Sequence, residues 1–376
     1  MIKKNFLNIL SALNLVYLNL HFIVLRLCGK KVITFYFGTI GSFKNHDLLI
    51  SEIIKKNKNK KIILFKISEI FKKEFFFNYI NMRFIRYLNF TNTILTNTVD
   101  RNLPKKTINI LIPHDFYDTF STFSNFEKTD FIKNLKLINY DYVFCPNIVV
   151  KKFYENKIFI LKRKFNGLKN IKLTKLLIVG YFKYDYVQKL IKNQKIKNSK
   201  NILILGTSFG AYSKLQTISK LLEKLLVDFN NYNLTFRPHP KENKKLINKI
   251  KKKFINNKKI KIDLSPMYIR SFNESEFAIA DYTGSAYSYS LLTQKPIIFY
   301  FNKKLKKSEK KTQFYKDIKN IGILAKNISE IKSKHIILSK RKKVFEKRIS
   351  KFKNKIFPEN KNFVKNFYSF FNKKYF

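Results

Sequence analysis

Short runs of apolar, largely β-branched residues alternate with stretches of helical periodicity along most of this chain. Each run has three to six residues and ends in a polar or turn-forming segment, which is the pattern of a buried strand. In the first half, the pattern predicts strands at Val32–Phe37, Lys61–Phe65, Ile108–Ile112, Tyr142–Cys145, Ile158–Leu161 and Leu176–Val179.

The second half repeats the alternation after the polar segment Lys192–Lys200, which we interpret as a linker. Its predicted strands are Asn201–Leu205, Leu234–Phe236, Lys259–Asp263, Phe277–Ala280, Pro296–Phe301 and Ile321–Leu324. Helical periodicity indicates helices at Ser213–Phe229, Lys241–Phe254, Ala286–Leu292 and Arg341–Lys353. Strands that alternate with helices favour an α/β fold with mainly parallel sheets.

Two α/β halves predict two Rossmann-like domains that face a cleft, with ligands at the carboxyl ends of the strands. We expect an apolar N-terminal helix at 1–30, an acceptor-side domain at 31–195, a nucleotide-donor domain at 196–340 and Lys/Phe-rich helices at 341–376.

The apolar segment Phe6–Cys28 is long enough to span a bilayer. It contains three asparagines, a histidine and an arginine, which are costly in lipid, and no small-residue cleavage site precedes Lys30. We therefore favour a helix that lies at the membrane interface or packs internally over one that spans the membrane.

Composition narrows the class of partner. The 376 residues include 77 Lys and Arg against 24 Asp and Glu, which gives a formal net charge of +53. Only nine of the 77 are arginine, and no nucleic-acid-binding motif is present, so we expect no nucleic acid partner. With 45% hydrophobic residues, the chain is not a disordered basic tail, and two cysteines exclude a disulfide scaffold. We expect a peripheral protein on the anionic, cytoplasmic face of a membrane.

Three segments that follow predicted strands carry candidate chemistry. The first is Arg237-Pro238-His239-Pro240, where two prolines hold a guanidinium and an imidazole in fixed directions, as a phosphate clamp requires. A capped turn with a structural histidine is the alternative.

The second segment is Asp281–Pro296, in which Thr283, Gly284 and Ser285 precede a helical stretch. Backbone N–H groups at a helix start stabilise an anion, although an ordinary N-cap needs no ligand.

The third segment is Pro113-His114-Asp115, where a histidine beside a carboxylate is suited to act as a general base on an acceptor hydroxyl. A loop histidine that merely pairs with aspartate is an equally good interpretation. No DxD pair, P-loop or GxSxG elbow is present, so we expect neither a metal nor a cofactor.

Together these segments resemble the CDP-glycerol glycerophosphotransferase family, which includes teichoic-acid primases and polymerases. The family pattern is a His-Gly loop, vGxPkxD, RPHP, and D-Y-S-S followed by a helix and K-P-I-I-F. Val179–Asp185, Arg237–Pro240 and Asp281–Tyr300 match its last three parts. Asp115 replaces the usual glycine and Phe182 the proline, as in a divergent member.

The resemblance implies a GT-B fold that binds nucleotide in its C-terminal domain and acceptor in its N-terminal domain. It implies donor-phosphate contacts from Arg237, His239, Thr283 and Ser285, and His114 as the base. The candidate catalytic residues are therefore His114, Asp115 and His239, and the candidate donor-phosphate residues are Arg237, His239, Asp281, Thr283, Gly284 and Ser285.

The implied activity is transfer of glycerol phosphate, or a related polyol phosphate, from a CDP-activated donor to a lipid-linked or polysaccharide acceptor. One alternative is a GT-B glycosyltransferase that uses a CMP- or UDP-sugar in capsule or lipopolysaccharide synthesis. The other is an inactive, basic protein that binds membranes or polyanions.

Overall fold

The structure is a computed structural model. It describes residues 2–37, 50–58, 60–68, 77–97, 103–113, 136–164, 174–193, 200–206, 212, 214–239, 242–265, 268–281, 283–302, 307–357 and 362–375. The described residues form two compact units: the first takes those before 114, those of 136–185 and 362–375, and the second takes those of 186–357.

The first unit contains a six-stranded sheet in the order β2-β1-β3-β4-β5-β6, with every adjacent pair parallel. Its strands are β1 Lys31–Phe37, β2 Ile62–Ser68, β3 Thr93–Thr96, β4 Ile108–Leu111, β5 Tyr142–Cys145 and β6 Lys175–Ile178. Both faces of its central strands are buried and largely apolar, as expected for a parallel sheet that is covered on two sides. The strand order reverses between β1 and β3.

The second unit contains a six-stranded parallel sheet in the order β12-β11-β10-β7-β8-β9. Its strands are β7 Asn201–Leu205, β8 Asn233–Arg237, β9 Ile260–Ile262, β10 Phe277–Ala280, β11 Ile297–Tyr300 and β12 Gly322–Ala325. Numbered within the unit, this is the order 3-2-1-4-5-6 of a dinucleotide-binding Rossmann sheet. Its switch point, where a ligand is expected, lies between β7 and β10.

Helices connect the strands of both units. They are α1 Ile2–Leu27, α2 Ile148–Lys164, α3 Phe182–Asn193, α4 Leu215–Asp228, α5 Lys244–Lys253, α6 Ile269–Glu274, α7 Gly284–Thr293, α8 Lys307–Lys310, α9 Gln313–Ile321, α10 Glu330–Lys340, α11 Lys342–Ile356 and α12 Phe363–Tyr375. Residues 50–56 are also helical, and short 3₁₀ helices cover Ile85–Tyr87 and Lys136–Asn139.

The C-terminal helix α12 packs in the first unit, far in sequence from the strands that it covers. The Phe367 ring stacks on Phe35 of β1, with 6.0 Å between centroids. Phe370 meets Phe144 of β5 edge to face at 5.1 Å, and the Asn366 side chain donates to the carbonyl of Val179 at 2.9 Å. By contrast, α11 buries Phe345 and Ile349 in the second unit.

The structure confirms the predicted α/β fold with two Rossmann-like units, but two predicted details were wrong. Ile158–Leu161, predicted as a strand, is part of α2. Its first residue, Ile158, continues a helical face on which Val150 and Tyr154, four residues apart, are buried. The strand β3 was missed, because only four residues pair there within a polar stretch.

Candidate functional site at the carboxyl edge of the second sheet

The residues that follow the strands of the second sheet meet at one edge of it, because all of its strands are parallel. We call this the carboxyl edge. Gly206 follows β7, the Arg-Pro-His loop begins at the end of β8, and Asp281 and Thr283 follow β10. Gly206 and Asp281 thus flank the switch point, and two of the segments singled out in the sequence share this edge.

Arg237, the last residue of β8, is held by residues that follow the neighbouring strand β9. Its Nη1 lies 2.6 Å from Oδ2 of Asp263 and donates to the Ser265 hydroxyl at 3.3 Å, and its Nη2 donates to the Ser265 carbonyl at 2.8 Å. The side chains of Arg237 and Asp263 are only 14% and 6% exposed. The guanidinium is therefore fixed in direction, and a carboxylate offsets its charge.

Asp263 is built to stay ionised. Burial alone would raise its pKa, but hydrogen bonds from the Ser265 and Ser271 hydroxyls and the Ser265 N–H, with the charge of Arg237, lower it to about 2. The Ser265 hydroxyl donates to Oδ1 at 2.6 Å, and the Ser271 hydroxyl donates to Oδ2. The ion pair is therefore fully formed at neutral pH.

His239 stands two residues beyond Arg237 on a loop that the protein holds at both ends. Pro238 is buried and His239 is partly buried. The His239 carbonyl accepts a hydrogen bond from the N–H of Glu242 at 2.8 Å, and the Asn243 side chain caps α5 by accepting from the Lys245 N–H at 2.8 Å. The backbone on either side of this segment, at His239 and from Glu242 onward, is therefore anchored at the carboxyl edge.

The start of α7 gives the carboxyl edge a second polar group. Thr283 is the N-cap, and its hydroxyl accepts from the Ser285 N–H at 3.3 Å. Ser285 is exposed, Gly284 is partly buried, and the first turn carries no acidic side chain. The positive end of the helix dipole at this position is consequently not offset by a carboxylate of the same turn.

Two stacked aromatic rings, those of Tyr212 and Tyr300, lie beside the switch point. Tyr212 is 1% exposed, its hydroxyl donates to the Tyr300 carbonyl at 3.1 Å, and its ring stacks on that of Tyr300. Burial raises the pKa of Tyr212 well above its usual value, and the nearby charge of Asp281 raises it further. A Cβ on Gly206 would lie 3.2 Å from that of Tyr212, so a residue without a side chain lets the chain pass over this ring.

The structure places six of the sequence-predicted residues at the same, carboxyl edge, after two strands that flank β7: Arg237, His239, Asp281, Thr283, Gly284 and Ser285. His114 and Asp115 lie outside the described residues. Sequence analysis missed Asp263 and Ser265, which hold Arg237. Asp263 is the last residue of a predicted strand, the next one along the chain after the strand that precedes Arg237. A carboxylate at that position could have indicated a partner for the arginine.

A separate cavity of 510 Å³ opens at the opposite, amino edge of the second sheet. Its lining includes Glu276, Lys295, His335 and Lys342, and none of the candidate site residues. Burial, and then the charge of Lys342, lower the pKa of Lys295 to about 8. The Lys295 ammonium donates to backbone carbonyls at the end of α6, among them that of Asn273 at 2.9 Å, which gives Lys295 a structural role.

Among the described residues, no group of three His, Cys, Asp or Glu side chains could hold a metal ion.

No protein-family model and no curated protein sequence matches this chain. Solved structures do. The wall teichoic acid polymerase TagF has a TM-score of 0.59 at 15% identity, over 100% of this chain and 98% of that one. The putative UDP-N-acetylglucosamine 2-epimerase from Listeria monocytogenes has a TM-score of 0.56 at 11% identity, over 85% and 91%.

The UDP-GlcNAc 2-epimerase from Neisseria meningitidis, solved with UDP-GlcNAc bound, has a TM-score of 0.55 at 12% identity, over 85% of this chain and 94% of that one. At these identities the similarity is one of fold. The chain has the GT-B-like fold that these proteins share, with two Rossmann-like domains.

Proposed function

We propose that this protein is a transferase that moves glycerol phosphate, or a related polyol phosphate, from a CDP-activated donor to a lipid-linked or polysaccharide acceptor. The observation that carries the proposal is the placement of both the His239 loop and the start of α7 at the carboxyl edge of one Rossmann sheet. A nucleotide is expected at that edge, and both groups suit its phosphates.

The roles of the residues follow from their surroundings. His239 and the N–H groups at the start of α7 are the direct phosphate contacts in this proposal. Arg237, whose charge Asp263 offsets at 2.6 Å, fixes the direction in which the His239 loop leaves β8. Asp281 is 2% exposed at the end of β10, and a carboxylate accepts hydrogen bonds from hydroxyls, so it suits the hydroxyl groups of the donor better than its phosphates.

In the proposed reaction an acceptor hydroxyl attacks the β-phosphorus of the donor. The new phosphorus–oxygen bond forms as the bond to CMP breaks, and the hydroxyl proton passes to a base, for which the family resemblance implies His114. The phosphate contacts at the carboxyl edge stabilise the charge that develops on the transferred group and on CMP.

A nucleotide-sugar glycosyltransferase is the second candidate. The observation that favours it is that two proteins of similar fold were solved with uridine nucleotides, the Neisseria meningitidis epimerase with UDP-GlcNAc and MnaA from S. aureus with UDP. The acceptor would then attack the anomeric carbon, and the whole nucleoside phosphate would leave. The similarity to TagF covers all of this chain, which is why we place the polyol-phosphate reaction first.

Product analysis tests the proposal. The purified protein is incubated with CDP-glycerol and UDP-GlcNAc together, with heat-inactivated bacterial envelope as the acceptor, and the products are identified by mass. We expect release of CMP and an acceptor heavier by glycerol phosphate. Incorporation of the sugar would support the second candidate. Incorporation of neither, with no nucleotide released, would contradict both.

Two histidine variants of the second unit distinguish loss of the proposed site from a general effect on the unit. His239→Ala should lower CMP release by ~10²–10³-fold, because it removes a preorganised phosphate contact. His335→Gln changes a histidine of the same unit that lines the cavity at the other edge of the sheet, and CMP release should be unchanged. Equal activity of the His239 variant and the wild type would contradict the assigned site.

A further inference from the structure

Helix α1 is apolar on two opposite faces. On its inner face Leu10, Leu18 and Phe22 are 6%, 1% and 0% exposed, and Leu18 and Phe22 belong to the core of the first unit. A surface helix of a soluble protein carries polar residues on the face that points away from the core. In α1 that outer face is apolar as well.

The outer face consists of eight large apolar side chains that are 51% to 82% exposed. They recur mostly at intervals of three or four, and they are Phe6, Ile9, Leu13, Val16, Tyr17, Leu20, Val24 and Leu27. We call this set the outer stripe. A continuous exposed apolar strip of this kind marks an interaction surface.

Three polar side chains of α1 do not interrupt the outer stripe, because each forms a hydrogen bond with segment 77–97. The Ser11 hydroxyl accepts from the Asn81 N–H at 2.8 Å, and the Asn14 side chain donates to the Tyr79 carbonyl at 3.0 Å. The Asn19 side chain donates to the Tyr87 carbonyl at 3.0 Å. Two of the three asparagines that would be costly in lipid, Asn14 and Asn19, thus donate to segment 77–97, which lies beside the helix.

That neighbouring segment continues the apolar surface and adds positive charge. Phe77, Met82, Tyr87 and Phe90 are 38% to 68% exposed. Arg83 and Arg86 are exposed, as is Arg26 near the end of α1. Neither 2–30 nor 77–97 contains an aspartate or a glutamate. The surface therefore combines apolar side chains with positive charge.

We propose that the outer stripe and the exposed side chains of 77–90 dock the first unit onto an anionic lipid bilayer. The helix lies in the plane of the interface and inserts its outer stripe among the acyl chains, while the arginines bind headgroup phosphates. The stretch Asn5–Leu27 is apolar enough to cross a membrane, but its hydrogen bonds to 77–97 keep one side on the protein. The helix is accordingly a surface anchor.

Charge decides between lipid and a second copy of this chain as the occupant. Two copies joined through the outer stripe would bring their arginines together, and each chain carries a formal net charge of +53. Like charges oppose that contact, whereas an anionic headgroup layer attracts the same residues.

The absence of tryptophan from the chain allows a direct test. Leu20→Trp places a single fluorophore in the outer stripe, and Val227→Trp places one at a 73% exposed position of α4 in the second unit. With vesicles of phosphatidylcholine and phosphatidylglycerol, we expect a blue shift for Leu20→Trp and quenching by shallowly brominated lipid. The Val227→Trp spectrum should not change.

Flotation with the same vesicles measures the energetic contribution. Leu13→Ser combined with Leu20→Ser should lower the bound fraction at least about tenfold, because two inserted apolar side chains are lost. Val227→Ser combined with Ile255→Ser, at positions equally exposed in the second unit, should bind as the wild type does. Arg83→Gln with Arg86→Gln should weaken binding to the anionic vesicles and leave weak binding to pure phosphatidylcholine unchanged.

Two results would overturn the proposal. One is unchanged flotation of the Leu13 and Leu20 double variant. The other is a wild type that sediments as a dimer without lipid and becomes a monomer in that variant, which would show that a second copy covers the outer stripe. Nucleotide binding is not part of this test, so its outcome is independent of the proposed transferase activity.

Discussion

At the scale of single residues, the ion pair between Arg237 and Asp263 organises the candidate site. It joins the ends of two neighbouring strands, and its hydrogen bonds to Ser265 leave the guanidinium one orientation. His239 follows two residues later, so the pair fixes the strand end from which the His239 loop leaves the sheet. The pair thus links the stability of the second unit to the geometry of the site.

Asp263→Asn should therefore destabilise the second unit. It leaves a nearly buried guanidinium without its carboxylate, and breaking such a pair costs about 3–5 kcal/mol. The native pKa of about 2 lies below the usual 3.8, so the carboxylate stabilises the fold above about pH 4, and this contribution is lost as the pH falls towards 2. Urea unfolding followed across this range should show the difference between wild type and variant shrinking.

The chain offers a matched control for this variant. Arg270 and Glu274 form a pair at the same N–O distance of 2.6 Å, but the Arg270 side chain is 75% exposed. Glu274→Gln should leave the free energy of unfolding nearly unchanged, because solvent screens an exposed pair. Equal effects of the two substitutions would mean that burial does not strengthen the Arg237 pair.

The sequence pointed to the candidate site residues but not to the residues that hold them in place. Arg237, His239 and Thr283 stood out because each follows a predicted strand within a distinctive segment. Asp263 and Ser265 did not, since which strand neighbours β8 is a property of the sheet order and not of the local pattern. Tyr212 also escaped notice, because its burial depends on the distant Tyr300.

At the scale of elements, α7 presents the site and ends in an unusual conformation. Gln294 is its C-cap residue, with a left-handed backbone at a φ of 60°. The Gln294 N–H donates to the Ser290 carbonyl of the last turn at 2.8 Å. Glycine is the residue that adopts this conformation at no steric cost. The left-handed backbone of Gln294 therefore costs conformational free energy at the C-terminal end of the helix.

Gln294→Gly should stabilise the second unit by about 0.5–1 kcal/mol, because it removes the steric cost of the left-handed backbone. The measurement is the urea midpoint of the purified variant. Gln188→Gly, which makes the same change inside the helix α3, should instead destabilise by about 1 kcal/mol. A destabilised Gln294 variant would show that the glutamine side chain contributes more than its backbone costs.

Sequence patterns predicted most elements of the second unit closely. Three strands were exact: Tyr142–Cys145 in the first unit, and Asn201–Leu205 and Phe277–Ala280 in the second. These are continuous apolar runs bounded by polar residues. The error at Ile158–Leu161 arose because strand-like composition and helical periodicity occur in the same segment. Ile158–Leu161 has strand-like composition, yet the preceding turns of α2 extend through it.

At the scale of the whole molecule, the chain builds two Rossmann-like units and returns to the first one with α12. The sequence indicated Lys/Phe-rich helices at 341–376 but did not decide which surface they cover, because Phe363, Phe367 and Phe371 at four-residue spacing suit any apolar surface. The contact of Phe367 with Phe35 of β1 identifies the surface that they cover.

Phe367→Ala should weaken the first unit specifically. The side chain is fully buried, and loss of a buried phenylalanine costs about 3–5 kcal/mol. Hydrogen exchange should accelerate at the amides of β1 and not at those of β7. Phe159→Ala, at a 61% exposed position of the same unit, should change neither. Equal acceleration in both sheets would show that the units unfold together.

The central claim is that a nucleotide-activated donor binds at the carboxyl edge of the second sheet, on the His239 loop and the start of α7. Calorimetric titration of the purified protein with CMP, CDP-glycerol and UDP at moderate salt, beside folded His239→Ala, tests it most directly. The account predicts saturable binding of the cytidine ligands that the variant loses. Absence of saturable binding by any of the three, or equal binding by the variant, would contradict it.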